Sequence, residues 1–211
     1  MGELTITTFL SLDGVMQAPG GPTEDTDGGF AHGGWSFPFA DGDFGKFISG
    51  VFSRADAFLL GRRTYDIFAA YWPKVTGPNE PEQSVAGPLN ALPKHVASRT
   101  RTAFEWKGSA AVRDAAREVP ELKRRYAREL QVHGSAILAQ TLIASDLIDE
   151  YRLLIYPVVL GSGKRLFGTG AVPAALALVS SRTTSKGVVV NVYRRAGKLR
   201  TGSFAPPEGG K

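Results

Sequence analysis

The chain has 211 residues, a length that fits one domain with a sizeable core. Its 25 lysine and arginine residues against 20 aspartate and glutamate residues leave a net charge of +5, which favours an anionic partner such as a phosphorylated cofactor. Without cysteine it can form neither a disulfide nor a thiolate metal site, and no apolar run is long enough to span a membrane. The first residues lack the basic and apolar regions of a signal peptide, so we expect a cytoplasmic protein.

Short apolar segments alternate with helical patterns along most of the chain. Strand patterns fall at residues 4–10, 57–60, 94–98, 129–133, 151–159 and 188–194, and helix patterns at residues 41–52, 62–71, 112–126 and 135–144. We expect Pro120 to interrupt the third of these helices. Strands joined by helices predict an α/β fold with a mostly parallel sheet covered on both faces. The last strand closely follows another short extended segment, so the sheet should be mixed.

The alternation of strands and helices predicts a single domain over residues 1–195. Residues 196–211 are rich in glycine, serine and proline and cannot bury much apolar surface. We therefore expect this segment to be a loosely held tail.

Two long loops are predicted to interrupt the alternation, at Pro19–Gly34 and Pro73–Pro88. The first contains three Gly-Gly pairs and leads into an aromatic cluster formed by Trp35, Phe37 and Phe39. This composition favours a lid or binding loop, with Trp35 beside the substrate. For the second loop, a binding role and a tolerated surface insertion are equally consistent with the sequence.

Three junctions at the ends of predicted strands are candidate phosphate sites. Their residues are Gly61, Arg62, Arg63 and Thr64; Ser98 and Arg99; and Gly134 and Ser135. The first and last of these junctions begin helices, whose N-termini offer free N–H groups and a partial positive charge. The middle one places a serine and an arginine at a carboxyl end of the sheet, where they suit a nucleotide 2′-phosphate.

Each junction also has an ordinary structural interpretation. Gly61 can be a simple turn followed by solvent-facing arginines, and Ser135 can be a plain N-cap. Either interpretation is about as good as phosphate binding when a junction is considered alone. Taken together, the three junctions point to one extended, phosphate-bearing ligand.

Other kinds of site find little support. The basic patch at Lys123, Arg124, Arg125 and Arg128 is typical of a solvated helix face, and no nucleic-acid motif accompanies it. The three histidines are far apart in the sequence, so no metal site is predicted. We expect neither a nucleic-acid partner nor a membrane partner.

Five motifs in a fixed order resemble a known family. They are Ser11-Leu12-Asp13-Gly14, Leu60-Gly61-Arg62-Arg63-Thr64-Tyr65, Ser98-Arg99-Thr100, His133-Gly134-Ser135 and Pro157-Val158-Val159-Leu160-Gly161-Ser162-Gly163. Their order resembles the dihydrofolate-reductase-like family that includes the reductase domain of the bacterial bifunctional riboflavin-biosynthesis deaminase-reductase. The resemblance covers about residues 4–195.

The resemblance implies a dihydrofolate-reductase-like fold, NADPH as the cofactor and a homodimer. It places the three phosphate junctions against the cofactor, with Leu160 and Gly161 near the nicotinamide. It makes Asp13 the candidate catalytic residue and proton donor, although a turn before Gly14 is the stronger interpretation from sequence alone. Water entering beneath the glycine-rich loop is the alternative proton source.

The chain also departs from the riboflavin enzymes. It lacks a deaminase domain, and His133 stands where those reductases commonly carry an acidic residue, so we expect a different substrate. We assign His133 to substrate binding. The sequence thus indicates an NADPH-dependent reductase of a small organic substrate. The alternative is a non-catalytic nucleotide-binding or ligand-sensing module on the same fold.

Overall fold

The computed structural model of the chain describes residues 1–78, 82–168 and 171–204. Its strands are β1 (Glu3–Ser11), β2 (Ala55–Gly61), β3 (Lys94–Ala97), β4 (Ser109–Val112), β5 (Glu129–His133), β6 (Glu150–Tyr156), β7 (Leu176–Thr183) and β8 (Val189–Arg195). Its α-helices are α1 (Gly42–Phe52), α2 (Arg62–Tyr71), α3 (Gln83–Ala91), α4 (Ala115–Arg125) and α5 (Ala136–Ala144).

All eight strands form one sheet, in the order β4-β3-β2-β5-β1-β6-β8-β7. The first six strands in this order pair in parallel, and the last two are antiparallel to their neighbours. The predicted mixed, mostly parallel sheet is therefore confirmed. Parallel pairing brings the carboxyl ends of β1, β2, β3 and β5 to one edge, where ligands gather in open α/β sheets.

Helices cover both faces of the sheet, as predicted. Strand β2 shows which helices lie on each face, because successive side chains of a strand point to opposite faces. Ala57 and Leu59 pack in a core with α4 and α5. Phe58 and Leu60 belong to a second core that includes residues of α1, α2 and α3.

The prediction of a helix at residues 112–126 is wrong in two respects: the helix starts later, and Pro120 does not interrupt it. Val112 ends β4, a short strand that the sequence did not reveal because Ser109-Ala110-Ala111 has little β propensity. The helix begins at Ala115 and continues through Pro120 to Arg125. The packing of Val119 and other apolar residues of this helix outweighs the local cost of the proline.

The predicted loop at Pro73–Pro88 is also wrong in part, because α3 begins inside it. This helix contains Pro88 and buries Ala86 and Leu89 completely. Its packing against the rest of the core explains why four prolines in the segment did not prevent a helix. Residues 79–81 of this loop lie outside the described residues.

Two segments in the last third of the chain differ from or extend beyond the predicted elements. Strand β6 stops at Tyr156 rather than Val159, because Pro157 has no N–H to donate to the sheet. Residues 196–204 follow β8 without helix or strand, and residues 205–211 of the predicted tail lie outside the described residues. In the described ranges, no helix is long and apolar enough to cross a bilayer, and no group of three or more side chains could hold a metal ion.

Candidate functional site

A large cleft opens at the carboxyl edge of the parallel strands. It encloses about 1370 Å³ and is lined by the ends of β1, β2, β3, β4 and β5 and by the helices that follow them. Cavities that hold one drug-sized ligand have roughly 300–1000 Å³. The cleft therefore has room for an extended ligand together with a second, smaller molecule.

Two helix N-termini meet in this cleft. Helix α2 starts after Gly61 and helix α5 after Ser135, and neither has a side-chain capping hydrogen bond. The Oγ1 atom of Thr64 and the Oγ atom of Ser135 lie 2.5 Å apart, so a hydroxyl pair joins the two helix starts. Ser135 thus occupies the N-cap position without capping the helix, which argues against the plain N-cap interpretation.

The backbone before α5 adopts an unusual conformation. Gly134 and Ser135 both have positive φ angles, of 72° and 64°. A non-glycine residue with positive φ carries strain that persists where the surrounding structure imposes it, often at functional sites. Together with the uncapped N–H groups of α2, this turn forms a concave, positively polarised surface suited to a diphosphate.

A group of arginines follows the carboxyl ends of β2, β3 and β4. Arg62, Arg99 and Arg113 all line the cleft. Arg113 donates to the carbonyl of Ser98 at 2.9 Å, while Arg62 and Arg99 are exposed and form no ion pair with any residue in the described ranges. The hydroxyl of Ser98 accepts a hydrogen bond from the Arg101 N–H at 3.1 Å. The sequence missed Arg113 because it missed the strand before it.

Arg63 also lines the cleft, and its guanidinium is engaged by the glycine-rich loop. It forms ion pairs with Asp25 and Asp27 of the glycine-rich loop, and Lys164 binds the same two carboxylates at 2.6 and 2.9 Å. Hydrogen bonds from Arg63 and Lys164 lower the pKa of Asp27 to about 2. These contacts anchor the loop beside the cleft, which Asp25 and Asp27 also line.

Asp13 lies beneath a tight turn, and its carboxylate is fully engaged. It accepts hydrogen bonds from the Ser11 hydroxyl at 2.6 Å and from the N–H groups of Leu160 and Gly161 at 3.1 and 2.9 Å. The bonds from Ser11 and Leu160 hold the pKa of Asp13 well below its ordinary value. An ionised, engaged carboxylate is suited to holding two loops together rather than to donating a proton. Asp13, Leu160 and Gly161 are not among the described residues that line the cleft.

Trp35 lies in the core rather than in the cleft. Its side chain is buried, its indole N–H donates to the carbonyl of Gln17 at 2.8 Å, and its ring packs edge-on against Tyr156. Phe39 contacts the same tyrosine, while Phe37 is 78% exposed. Trp35 and Phe39 thus anchor the end of the glycine-rich loop.

His133 lines the cleft at the end of β5. Its ring stacks on Phe52, with the ring centroids 4.4 Å apart, and its Nε2 atom lies 3.1 Å from Oε1 of Gln131. Burial and the neighbouring Arg152 lower its pKa to about 3, so the ring is neutral at physiological pH. A neutral imidazole can bind a substrate through hydrogen bonds but cannot deliver a proton as a cation.

Comparison with known proteins shows which family the chain matches. The model of the RibD C-terminal domain family matches residues 3–190. The uncharacterized protein YyaP of Bacillus subtilis (strain 168) is 31% identical over 191 residues, which cover 90% of this chain and 94% of that protein.

Solved structures show the same fold at lower sequence identity. A pyrimidine reductase-like protein from Corynebacterium diphtheriae matches with a TM-score of 0.63 and 14% identity, covering 95% of this chain and 93% of that one. Dihydrofolate reductase from Enterococcus faecalis, complexed with NADP(H), matches with a TM-score of 0.57 and 13% identity, covering 92% and 97%. The fold is therefore dihydrofolate-reductase-like, as expected.

Proposed function

The chain belongs to the RibD C-terminal domain family, and from that premise we propose that it is a reductase that uses NADPH to reduce a small organic substrate. The observation that carries the proposal is the meeting, in one cleft, of two helix N-termini without side-chain caps and of Arg62 and Arg99, which form no ion pair within the described residues. The reductase-like relative with the same fold and the complex of Enterococcus faecalis dihydrofolate reductase with NADP(H) support it.

The residues present fit a phosphorylated dinucleotide. The N-termini of α2 and α5, with the hydroxyls of Thr64 and Ser135, would hold the diphosphate. Ser98 and Arg99, with Arg113 beside them, would hold the 2′-phosphate through charge-assisted hydrogen bonds. When bound, NADPH supplies the hydride, and the protein supplies orientation and electrostatics.

Asp13, the candidate proton donor, is poorly suited to supply the proton that accompanies the hydride, and so is His133 in the cleft. Asp13 accepts from the three donors described above and from Arg165 at 3.3 Å, which hold it ionised. His133 is neutral, with a pKa of about 3. We therefore favour water that enters beneath the glycine-rich loop. Exclusion of bulk water by that loop would keep the reacting groups oriented.

We predict that the protein binds NADPH more tightly than NADH and that Arg99→Ala removes most of this preference. Loss of one charge-assisted contact to the 2′-phosphate should cost roughly 1.5–3 kcal/mol, or about 10- to 100-fold in affinity. Titration of both cofactors by fluorescence measures it. Arg125→Ala is the matched control, because Arg125 lies at the far end of α4 and is 61% exposed.

Three outcomes of these measurements distinguish the reductase from a non-catalytic nucleotide-binding module and test the 2′-phosphate site. Equal affinities of the wild type for both cofactors would contradict the 2′-phosphate site. Tight NADPH binding with NADPH oxidation on a panel of carbonyl and pterin compounds supports the reductase. Tight binding without turnover on any compound supports the non-catalytic nucleotide-binding alternative.

We also propose that the protein is a homodimer that pairs through its β7 edge. All eight residues of β7 are exposed, including Leu176, Leu178 and Val179 at 36%, 57% and 55%. The strand lies at the end of the sheet, where unpaired backbone groups are available to a second chain. Natural proteins seldom leave a long apolar edge strand uncovered, so a second copy is the simplest cover.

We predict that the wild type sediments as a dimer and that the double variant Leu176→Glu, Leu178→Glu sediments as a monomer. Charges on one face of β7 would have to be buried without partners in the dimer. Sedimentation velocity measures the mass. Leu199→Glu is the control, because Leu199 is equally exposed, at 56%, but lies beyond β8. A monomeric wild type, or a dimeric double variant, would contradict the proposal.

A further inference from the structure

Four charged side chains from three separate segments meet along one side of the cleft. Asp25 and Asp27 belong to the glycine-rich loop, Arg63 to the first turn of α2, and Lys164 to the segment after β6. Each carboxylate pairs with both cations. Arg63 donates to Asp27 at 2.7 Å, and Lys164 lies 2.6 Å from Asp25 and 2.9 Å from Asp27. All four residues line the cleft, so these ion pairs tie the loop to both of its neighbours there.

The backbone behind these charges is held by one buried side chain. Gln17 is only 4% exposed, and its amide nitrogen donates to the carbonyls of Asp25 and Asp27, both at 3.0 Å. Its amide oxygen accepts from the N–H of Lys164, also at 3.0 Å. To move away from the cleft, the loop must therefore break the ion pairs together with the two hydrogen bonds from the Gln17 amide.

The same residues form a partition between two spaces. Gln17, Asp27 and Lys164 line the large cleft and also a smaller pocket of about 260 Å³. These three side chains therefore lie between the two spaces. Separation of the charges would join the cleft to the smaller pocket and widen the access to its interior.

The position of Arg63 connects this partition with the proposed cofactor site. Arg63 is the second residue of α2, whose N-terminus we assign to the diphosphate. From there the cleft continues to the end of β1, where it is lined by residues 7–9 and by residues 16–20 at the start of the glycine-rich loop. An extended ligand that runs from the diphosphate site to the end of β1 passes alongside the four charges. Loops that close over a bound ligand often limit its release.

We propose that Asp25, Asp27, Arg63 and Lys164 form an ion-pair strap that holds the glycine-rich loop across the cleft and limits the rate at which the cofactor enters and leaves. The inference rests on the proposed function, because it assigns the strap to the exchange of that cofactor. The strap is closed over the empty cleft and over the filled cleft alike. Its loss therefore raises the association and dissociation rates together and changes the affinity less than either rate.

The first test measures the opening of the strap in the protein without cofactor. Hydrogen exchange of the Gln17 side-chain amide, followed by NMR, reports directly on its bonds to the loop. Asp27→Asn keeps the shape of the side chain and removes its charge, and should speed this exchange about 3- to 10-fold, the range expected for two partly exposed ion pairs. Raising NaCl from about 0.1 to about 1 M should speed it in the wild type more than in the variant, because salt screens the strap.

The second test measures NADPH association and dissociation by stopped-flow fluorescence. Asp27→Asn and Arg63→Gln remove charges of opposite sign, so simple attraction of an anionic cofactor would change the association rate in opposite directions. Loss of the strap should instead raise both rates in both variants, again about 3- to 10-fold. Agreement between two variants of opposite charge is the signature of the strap.

Glu121→Gln is the matched control for both tests. The Glu121 side chain is 51% exposed, as is that of Asp27, and it also pairs with two cations, Arg124 and Arg125. Glu121 lies on α4 and is not among the described residues that line the cleft. This variant should leave the Gln17 exchange and both NADPH rates as they are in the wild type.

Three results would overturn the strap. They are equal Gln17 exchange in Asp27→Asn and the wild type, association rates that move in opposite directions in Asp27→Asn and Arg63→Gln, and a loss of NADPH affinity in Arg63→Gln with unchanged association. The last result would make Arg63 a phosphate ligand instead. Failure of the wild type to bind NADPH would contradict the proposed function and the role of the strap in exchange, whereas the Gln17 measurement decides by itself whether the four charges hold the loop.

Discussion

Replacing Arg152 with methionine should destabilise the protein by about 3–5 kcal/mol at neutral pH. Arg152 lies on β6 with only 3% of its side chain exposed, between the carboxylates of Glu129 and Glu150. Its guanidinium binds Glu129 through two hydrogen bonds of 2.8 Å and Glu150 through one of 2.7 Å. Methionine fills a similar volume but leaves two buried carboxylates without this cation. The free energy of unfolding, measured with urea, gives the effect directly.

The pH dependence provides a second, sharper readout of the same change. In the wild type the pKa of Glu129 is lowered to about 2 in the folded protein, so its stabilising effect is present at neutral pH and is lost as the pH falls from about 5 towards 2. In the Arg152→Met variant, burial dominates and raises the folded pKa of Glu129, so protonation relieves the destabilisation. The difference in stability between wild type and variant should therefore shrink steadily as the pH is lowered from 7 to 4.

Arg54→Met is the matched control for this prediction. Arg54 also pairs with Glu129, at 2.9 Å, but 48% of its side chain is exposed, so water screens the interaction. We expect its loss to cost less than about 1 kcal/mol, with little change across the same pH range. The buried-pair account fails if the two variants are equally stable, or if the stability difference for Arg152→Met does not depend on pH.

Much of the fold could be predicted because its elements carry strong local patterns. The strands at residues 57–60 and 129–133 and the helix at residues 41–52 have the apolar spacing of their structures, and all three are confirmed to within about two residues. The strand β4 and the helix α3 were missed because their local signals are weak or contrary. Alanine and serine dominate β4, and proline lies inside α3, so only tertiary packing determines them.

Site residues that directly follow a predicted strand could be found from the sequence. Site residues that depend on which strands lie side by side could not. Gly134, Ser135 and Arg99 lie at predicted strand ends, and the structure places all three in the cleft. Arg113 gave no signal, because it follows a strand that the sequence did not predict. Sequence order likewise could not reveal that Trp35 is buried against Tyr156 or that Arg63 pairs with Asp25 and Asp27.

Strand β5 illustrates a further limit of sequence patterns. Its residues alternate between polar Glu129, Gln131 and His133 and apolar Leu130 and Val132, a pattern that ordinarily indicates one solvated face. The structure buries both faces and satisfies the polar one with a chain of hydrogen bonds that reaches the cleft. Only the identity of the neighbouring strands and of α1 could have shown this.

The junction between α2 and α5 allows a prediction that links packing to the proposed diphosphate site. Gly61 has an extended backbone that any residue can adopt, but a Cβ atom there would lie 2.6 Å from the Cβ of Ser135 and closer still to its hydroxyl. Gly61→Ala should therefore force the two helix starts apart and destabilise the protein by about 1–3 kcal/mol. We expect the same variant to weaken NADPH binding, because the N–H groups of the two helices would no longer converge.

The double variant Gly61→Ala, Ser135→Gly tests the cause of this destabilisation. Glycine at position 135 removes both clashing atoms, leaves Leu138 Cβ at an ordinary 3.7 Å and relieves the positive φ of 64°. We expect the double variant to regain most of the stability in urea, a coupling of about 1–3 kcal/mol in a double-mutant cycle. NADPH affinity should recover only in part, because the Ser135 hydroxyl is lost. Gly50→Ala in α1 is the control, since its nearest atom would lie 4.0 Å away and alanine favours helices. If the double variant is no more stable than Gly61→Ala alone, contact with Ser135 is not the reason that position 61 requires glycine.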